Sequence, residues 1–178
     1  LVTKAMERAA APKATLPHLV YGERATNAPW AASGAMGDHG SVQQDPACTD
    51  QPKDGATCLQ ITYTKTGGWT GLVWQNPAND WGDQAGGLDL SGAKELRFWA
   101  RGATGGEQVE FSYGIIGPDK PWSDTAHAKQ AVTLSTTWTE YRFDLTGKDL
   151  SRIKTPFCWV LGGTDEPITF YLDSIEYR

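Results

Sequence analysis

The chain is built from short stretches in which apolar and polar residues alternate, cut apart by Gly, Pro and Asp. Leu59, Ile61 and Tyr63 fall on one side of such an alternation, and Gln60, Thr62 and Thr64 on the other. Leu96, Phe98 and Ala100 alternate with Arg97, Trp99 and Arg101; Val109, Phe111, Tyr113 and Ile115 with Gln108, Glu110 and Ser112; Tyr141, Phe143 and Leu145 with Glu140, Arg142 and Asp144. Successive side chains of a strand face opposite ways, so a period of two with one polar side marks antiparallel sheets packed on one face. A first strand at 18–23, shorter runs at 70–75, 130–135 and 156–162, and a closing run at 168–177 bring the pattern to about nine strands. No stretch after residue 17 sustains a helical period. The predicted fold class is all-β: an antiparallel β-sandwich of jelly-roll type.

At 178 residues the chain is about one domain, large enough to bury a core without a metal or disulfide. Residues 1–17, Ala-rich with two prolines, read as a flexible N-terminal tail or linker with a short helical turn at 3–10; residues 18–178 form the β domain. Sixteen Lys and Arg against twenty-one Asp and Glu leave a net charge of −5, which argues against a protein that grips nucleic acid through a basic face. No apolar run is long enough to span a membrane. Residues 1–17 also lack the apolar core of a secretory signal, so a secreted chain would carry its signal outside this numbering.

Three local features invite a role. Asp89-Leu-Ser-Gly92 and Asp144-Leu-Thr-Gly147 share a turn chemistry at two strand exits. In the closing strand Ile168, Phe170 and Leu172 keep period two, but the next apolar residue is Ile175, which predicts a β-bulge near Asp173 or Ser174. The bulge either aims Asp173 at a particular partner or leaves it exposed at a strand end. Cys48 and Cys58 flank a Pro-, Asp- and Gly-rich loop and predict a disulfide, hence an oxidising compartment, with Cys158 buried and free; three reduced thiols is the alternative. No pair of Cys or His has zinc spacing. Calcium takes oxygen ligands from loops and carboxylates, and Glu23, Asp38 and Asp173 are its candidates, against plain solvated carboxylates.

Eight tryptophans in a mildly acidic, turn-rich chain suit sugar binding as well as core packing, since sugars offer apolar C–H faces to rings and hydroxyls to polar side chains. Residues 67–87 hold Trp69, Trp74 and Trp81 among six glycines, two asparagines and two aspartates. Trp74 shares a side with Leu72 and reads equally as core. Trp81, between Asp80 and Gly82, is a candidate ligand platform. Trp122 and Asp124 pair a ring with an acceptor in a second loop, and Trp30 lies in a third; Trp99, Trp138 and Trp159 read as structural.

In order along the chain, Tyr-Gly-Glu23, Gly-Trp69-Thr-Gly, Asn-Asp-Trp-Gly82, Leu-Arg-Phe-Trp-Ala-Arg-Gly102, Trp-Thr-Glu-Tyr-Arg-Phe-Asp-Leu145 and Phe-Tyr-Leu-Asp-Ser-Ile175 resemble the galactose-binding-like β-jelly-roll modules, near family-11-type carbohydrate-binding modules. The likeness spans residues 18–178. It implies a structural calcium held by Glu23 and Asp173, with Asp38 as a third candidate, and a secreted or periplasmic domain of the kind that is linked to a carbohydrate-active enzyme. It also implies a polysaccharide or oligosaccharide partner. The leading expectation is non-catalytic glycan binding by stacking on Trp81, Trp122, Trp69, Trp74 or Tyr113, with hydrogen bonds from Arg97, Arg101, Asp124 and Gln75. The alternatives are a small glycoside hydrolase or lyase on the sandwich, which needs two cooperating carboxyls, and a calcium-stabilised protein-interaction domain. No Gly-x-Ser-x-Gly elbow and no phosphate-binding glycine loop is present.

Overall fold

The structure, a computed structural model, describes residues 8–25 and 28–178. Their strands form two antiparallel sheets. Sheet I runs in the order β3 (Val42–Cys48), β4 (Cys58–Tyr63), β11 (Ile168–Tyr177), β6 (Glu95–Gly102) and β9 (Thr139–Asp144), with β1 (His18–Tyr21) also paired to β11. Sheet II runs β2 (Ala31–Gly37), β5 (Trp69–Gln75), β10 (Phe157–Gly162), β7 (Gln108–Tyr113) and β8 (Ala128–Thr133). A 3-10 turn, His39–Ser41, joins β2 to β3. The expected β-sandwich is the observed one, and each expected strand is present.

β2 and β3 are the two strands that periodicity does not announce. Ala31–Gly37 is short of large apolar residues, and Val42–Cys48 carries Pro46 and is exposed from Gln43 to Ala47. Both lie at sheet edges, where a strand has one neighbour and tolerates a proline or a polar run.

The two sheets meet through rings. Phe98 of sheet I lies 4.7 Å from Phe111 and 4.8 Å from Phe157 of sheet II, centroid to centroid. Trp159 meets Phe170 edge-on at 5.4 Å. All five rings are fully buried, and each sits at an inward position of its strand's alternation. The same alternation leaves the intervening residues on the outer faces.

The bulge is where the spacing places it: the β11–β6 register shifts between Asp173 and Glu176, and Ser174 adopts a φ of 46°. The two Asp-Leu-(Ser/Thr)-Gly turns are alike. Asp89 Oδ1 accepts the Ser91 N–H at 2.8 Å, and Asp144 Oδ1 accepts that of Thr146 at 2.9 Å.

The segment read as a linker is docked over its described part. The Asp89 N–H donates to Pro12 O, the Ala14 N–H donates to Asp89 O, and Ala14 and Leu16 pack on the core. Of the helical turn expected at 3–10, residues 3–7 lie outside the described residues, and 8–10 are not helical.

Because Phe98 contacts rings of both sheets, Phe98→Ala is expected to cost about 3–5 kcal/mol of unfolding free energy in urea titrations. A loss below about 1 kcal/mol would mean that the rings do not bind the sheets together.

Candidate functional site

The outer face of sheet I is occupied by the protein itself. Arg97 pairs with Glu140 at 3.3 Å and Glu176 at 3.8 Å. The Arg101 guanidinium lies 3.7 Å from the centroid of Tyr171 and 5.2 Å from that of Trp138, and pairs with Asp50 at 3.3 Å. The loop between β3 and β4 crosses this face. Its Lys53 ammonium sits 4.2 Å over Trp99, and its Gln51 carbonyl accepts the Trp138 indole N–H. Arg97 and Arg101, expected to serve sugar hydroxyls, are therefore engaged within the fold.

The outer face of sheet II is different. Leu72, Trp74, Phe157, Trp159, Phe111 and Tyr113 go to the core, so Trp69, Gly71, Val73, Cys158, Val160, Glu110 and Ser112 face outward. Register aligns them in rows: Gly71, Val160 and Glu110 in one, Val73, Cys158 and Ser112 in the next. A groove of about 520 Å³ lies over the β10 and β7 part of these rows, at Val160, Cys158, Glu110 and Ser112, while Gly71 and Val73 are buried. Met36, Val160 and Cys158 give it an apolar floor, the Glu110–Lys129 ion pair (3.7 Å) edges it, and the 113–118 segment walls it.

Trp69 stands on this face at the start of β5 with half its surface exposed, the one exposed large apolar side chain among the described residues. Gly37, at a φ of 59°, makes room for it: a Cβ there would come within 2.9 Å of the indole Cδ2. Trp69 lies two residues along β5 from Gly71, whose partner Val160 is on the groove floor, and does not itself line the groove.

Three expected contacts are buried instead. Trp74 packs on Phe157 at 5.7 Å, and Tyr113 is a core ring. Gln75 is fully buried, its Oε1 accepting the Ser33 hydroxyl at 3.3 Å. Strand position turns Trp74 and Tyr113 inward, whereas Gln75 shares the parity of Trp69 and is buried because Ser33 and Gly34 of β2 pack against it.

Trp81 and Trp122 are partly exposed and lie in adjoining loops after β5 and β7, linked by the Trp122 N–H to Gly82 O hydrogen bond at 2.9 Å. The first loop is anchored by Asp80, whose carboxylate accepts the N–H groups of Gly82, Asp83 and Gln84 and pairs with the fully buried Lys154 ammonium. Burial alone would raise the Asp80 pKa; the ammonium and the N–H groups more than offset this and hold it below its ordinary value. Asp124 is likewise spent. It accepts the N–H groups of Ile116, Lys154 and Thr155 and the Thr155 hydroxyl, and burial raises its pKa despite them. It is a loop anchor and not a free acceptor beside Trp122.

Glu23 and Asp173 come together around the β3–β4 loop, while Asp38 sits elsewhere. Glu23 accepts the Ala56 N–H and the Thr57 hydroxyl, which lower its pKa. Asp173 Oδ2 accepts the N–H groups of Lys53 and Asp54, both at 3.0 Å, whereas Oδ1 receives only the Ser174 hydroxyl at 3.3 Å. Burial raises its pKa, and it has no cationic partner among the described residues. Asp38 instead holds the Lys65 ammonium at 2.8 Å and the Tyr63 hydroxyl at 2.8 Å. Among the described residues no group of three His, Cys, Asp or Glu is drawn together to hold a metal. Glu23 and Asp173, which bond residues 56–57 and 53–54 of the same loop, offer hard oxygens of the kind calcium takes.

Cys48 and Cys58 lie opposite each other in the β3–β4 register, both buried, as free thiols; the expected bond between them is not formed in the structure. Burial and the neighbouring Cys48 push the Cys58 thiol up to about 12. Cys158 is a buried free thiol on the groove floor.

The comparisons with known proteins concern this architecture. No protein-family model and no curated protein matches the chain. Among solved structures it is similar to a family 30 carbohydrate-binding module, with a TM-score of 0.63 at 16% identity over 92% of this chain and 99% of that one. It is also similar to a family 11 module from Clostridium thermocellum, solved with a β-1,3-1,4-mixed-linked tetrasaccharide (TM-score 0.53, 16% identity, 90% and 94% covered). A third is a family 61 module solved with β-1,4-galactotriose (TM-score 0.53, 15% identity, 84% and 88% covered). The resemblance drawn from the strand motifs holds, and at these identities it is a likeness of fold.

The Asp80–Lys154 pair fixes the loop that carries Trp81. Removing one partner of a buried pair leaves the other unpaired, so Lys154→Met is expected to cost about 3–5 kcal/mol in chemical denaturation. The Asp80 carboxyl is depressed in the fold, so the pair's contribution is complete above the unfolded pKa of about 3.9 and is lost as pH falls through the folded value. The gap between the two proteins should therefore close in strong acid. A gap that is constant down to pH 2 would place the stabilisation elsewhere.

Proposed function

We propose that the chain is a non-catalytic carbohydrate-binding domain and that the outer face of sheet II, with Trp69 as its stacking platform, is the surface that takes the glycan. The observation that carries this reading is a half-exposed tryptophan one row along the same sheet face from an apolar groove. A pyranose presents an apolar C–H face that such a ring covers, and Glu110, Lys129 and Ser112 stand at the groove for its hydroxyls. The likeness of fold to modules solved with bound oligosaccharides agrees with it.

A hydrolase is the poorer reading. It needs two cooperating carboxyls, and the two at the groove are already engaged, Glu110 by Lys129 and Asp124 by three backbone N–H groups. An interaction domain would keep the fold and bind no glycan, which makes glycan retention the discriminating observation.

Calcium is assigned to Glu23 and Asp173, supported by a buried carboxylate without a cation and an Oδ1 with spare lone pairs. Asp38, paired to Lys65, is left out of the set. The Cys48–Cys58 bond is assigned to the protein in an oxidising compartment, supported by the facing register, and the domain is accordingly placed outside the cytoplasm. No described helix is long and apolar enough to cross a membrane.

In native gels cast with soluble plant, algal and microbial polysaccharides, one polymer class should retard the protein, and Trp69→Ala should abolish this with an unchanged melting temperature. Equal retardation of Trp69→Ala would remove sheet II as the binding face. Calcium at about 100 times its dissociation constant should stabilise the chelator-treated protein by about 2.7 kcal/mol, and Asp173→Asn should lose the response; an unresponsive protein holds no calcium there. Closing the short loop with the Cys48–Cys58 bond should add about 2–3 kcal/mol over the reduced form, read by denaturation with and without reductant. Identical curves, with one bond shown by mass spectrometry, would count against that contribution.

A further inference from the structure

We infer that the loop end of sheet II carries a site for an anionic sugar, a uronate or sulfated residue, formed by Arg8 and Arg152 where both pack against the Trp122 indole. The inference rests on the glycan-binding reading above and names the ligand class that this end of the face selects.

The chain is acidic, and its arginines are otherwise accounted for. Arg24, Arg97, Arg101, Arg142 and Arg178 each pair with an Asp or Glu. Arg8 and Arg152 are the remaining two, and neither has a carboxylate partner among the described residues. Both lie against one ring: the Arg152 guanidinium carbon is 4.9 Å from the Trp122 centroid, and that of Arg8 is 5.5 Å.

Two like charges drawn to one indole repel each other. Burial lowers the pKa of Arg152 and the charge of Arg8 lowers it further. Arg152 is fixed in place by donating to the carbonyls of Gly86 and Ala9, so its orientation is set before any ligand arrives. Carbonyls neutralise no charge, and an anion placed between the guanidiniums would relieve the repulsion and accept charge-assisted hydrogen bonds.

The position fits a substituent on a chain lying in the groove. Trp122 belongs to the β7–β8 connection, whose 114–118 segment walls the groove, and the Thr125 hydroxyl of the same connection donates to Arg152 O at 3.0 Å. Asp124, the acceptor expected beside Trp122, is turned away onto residues 116, 154 and 155. What faces a ligand at Trp122 is therefore a pair of cations, which suits carboxylate or sulfate better than a neutral hydroxyl.

The test compares polymers that differ only in charge: polygalacturonate with its methyl ester, and dextran sulfate with dextran, in affinity gels and calorimetry at low and high salt. The acidic member of one pair should bind at least about tenfold more tightly, as expected for charge-assisted hydrogen bonds, and the preference should shrink with salt. Which pair responds separates uronate from sulfate. Arg8→Gln and Arg152→Gln should each weaken the acidic polymer by about tenfold and leave a neutral one unchanged. Arg8 is exposed, so its variant tests the inference even if Arg152→Gln proves unstable. Retention of neutral polymers through Trp69 with no acid preference would overturn this inference alone. Acid-dependent retention lost in Arg8→Gln but intact in Trp69→Ala would overturn the sheet II reading alone. No retention by any polymer would overturn both.

Discussion

The layer of rings between the sheets settles everything else in the molecule. Phe98, Phe111, Phe157, Trp159 and Phe170 are fully buried and meet at centroid distances near 5 Å, so each strand that contributes one has its alternation fixed. A slip of one residue would turn every one of these side chains out to water. With Leu72 and Trp74 committed to the core, Trp69 has to face outward on β5, and Val160 and Cys158 have to face outward on β10. The apolar strip on sheet II is thus a consequence of the core and not an independent feature.

The acidic residues mostly serve the loops. Asp80, Glu107, Asp124 and Asp173 each accept backbone N–H groups of a turn or connection, and Asp89 and Asp144 do the same within their own turns. Connections at both ends of a sandwich leave backbone donors that no ladder satisfies, and a short carboxylate side chain is an effective local acceptor. That use explains why carboxylates with the composition of sugar or metal ligands so often turn inward. Asp173 is the exception in degree: its Oδ1 keeps lone pairs free in a buried setting.

Period two made the architecture legible, because it reports which side of a strand is dry. It gave the inward rings and the bulge at Ser174, and the repeated Asp-Leu-(Ser/Thr)-Gly pattern gave the twin Asx turns. It missed β2 and β3 because edge strands rich in Ala, Gly, Gln and Pro bury too little to leave a periodic trace. The binding face was only half legible. Trp69 lies opposite Leu72 and Trp74 in the alternation, so its outward position could be read from spacing, and the same spacing marks Trp74 as core; Gln75 shares the parity of Trp69, and its cover by Ser33 and Gly34 leaves no trace in the alternation. The groove floor left a weaker sign: β5 and β10 are apolar on both sides, with Gly71, Val73, Cys158 and Val160 opposite the core residues. Arg97 and Arg101 were misleading because a strand pattern shows which way a side chain points and not that the β3–β4 loop and neighbouring carboxylates will cover it. Arg8 and Arg152 could not be paired with Trp122 from sequence, since 144 positions separate the two arginines.

The central claim is that the glycan lies on the outer face of sheet II. The most direct measurement is amide chemical-shift mapping by NMR, with a soluble oligosaccharide of whichever polymer class retards the protein. The account predicts shifts clustered at Trp69, Gly71, Val73, Val160 and Glu110 and extending toward the 114–118 wall, with β6 and β9 unmoved. Shifts centred instead on Arg97, Trp99 and Arg142 of sheet I would contradict it.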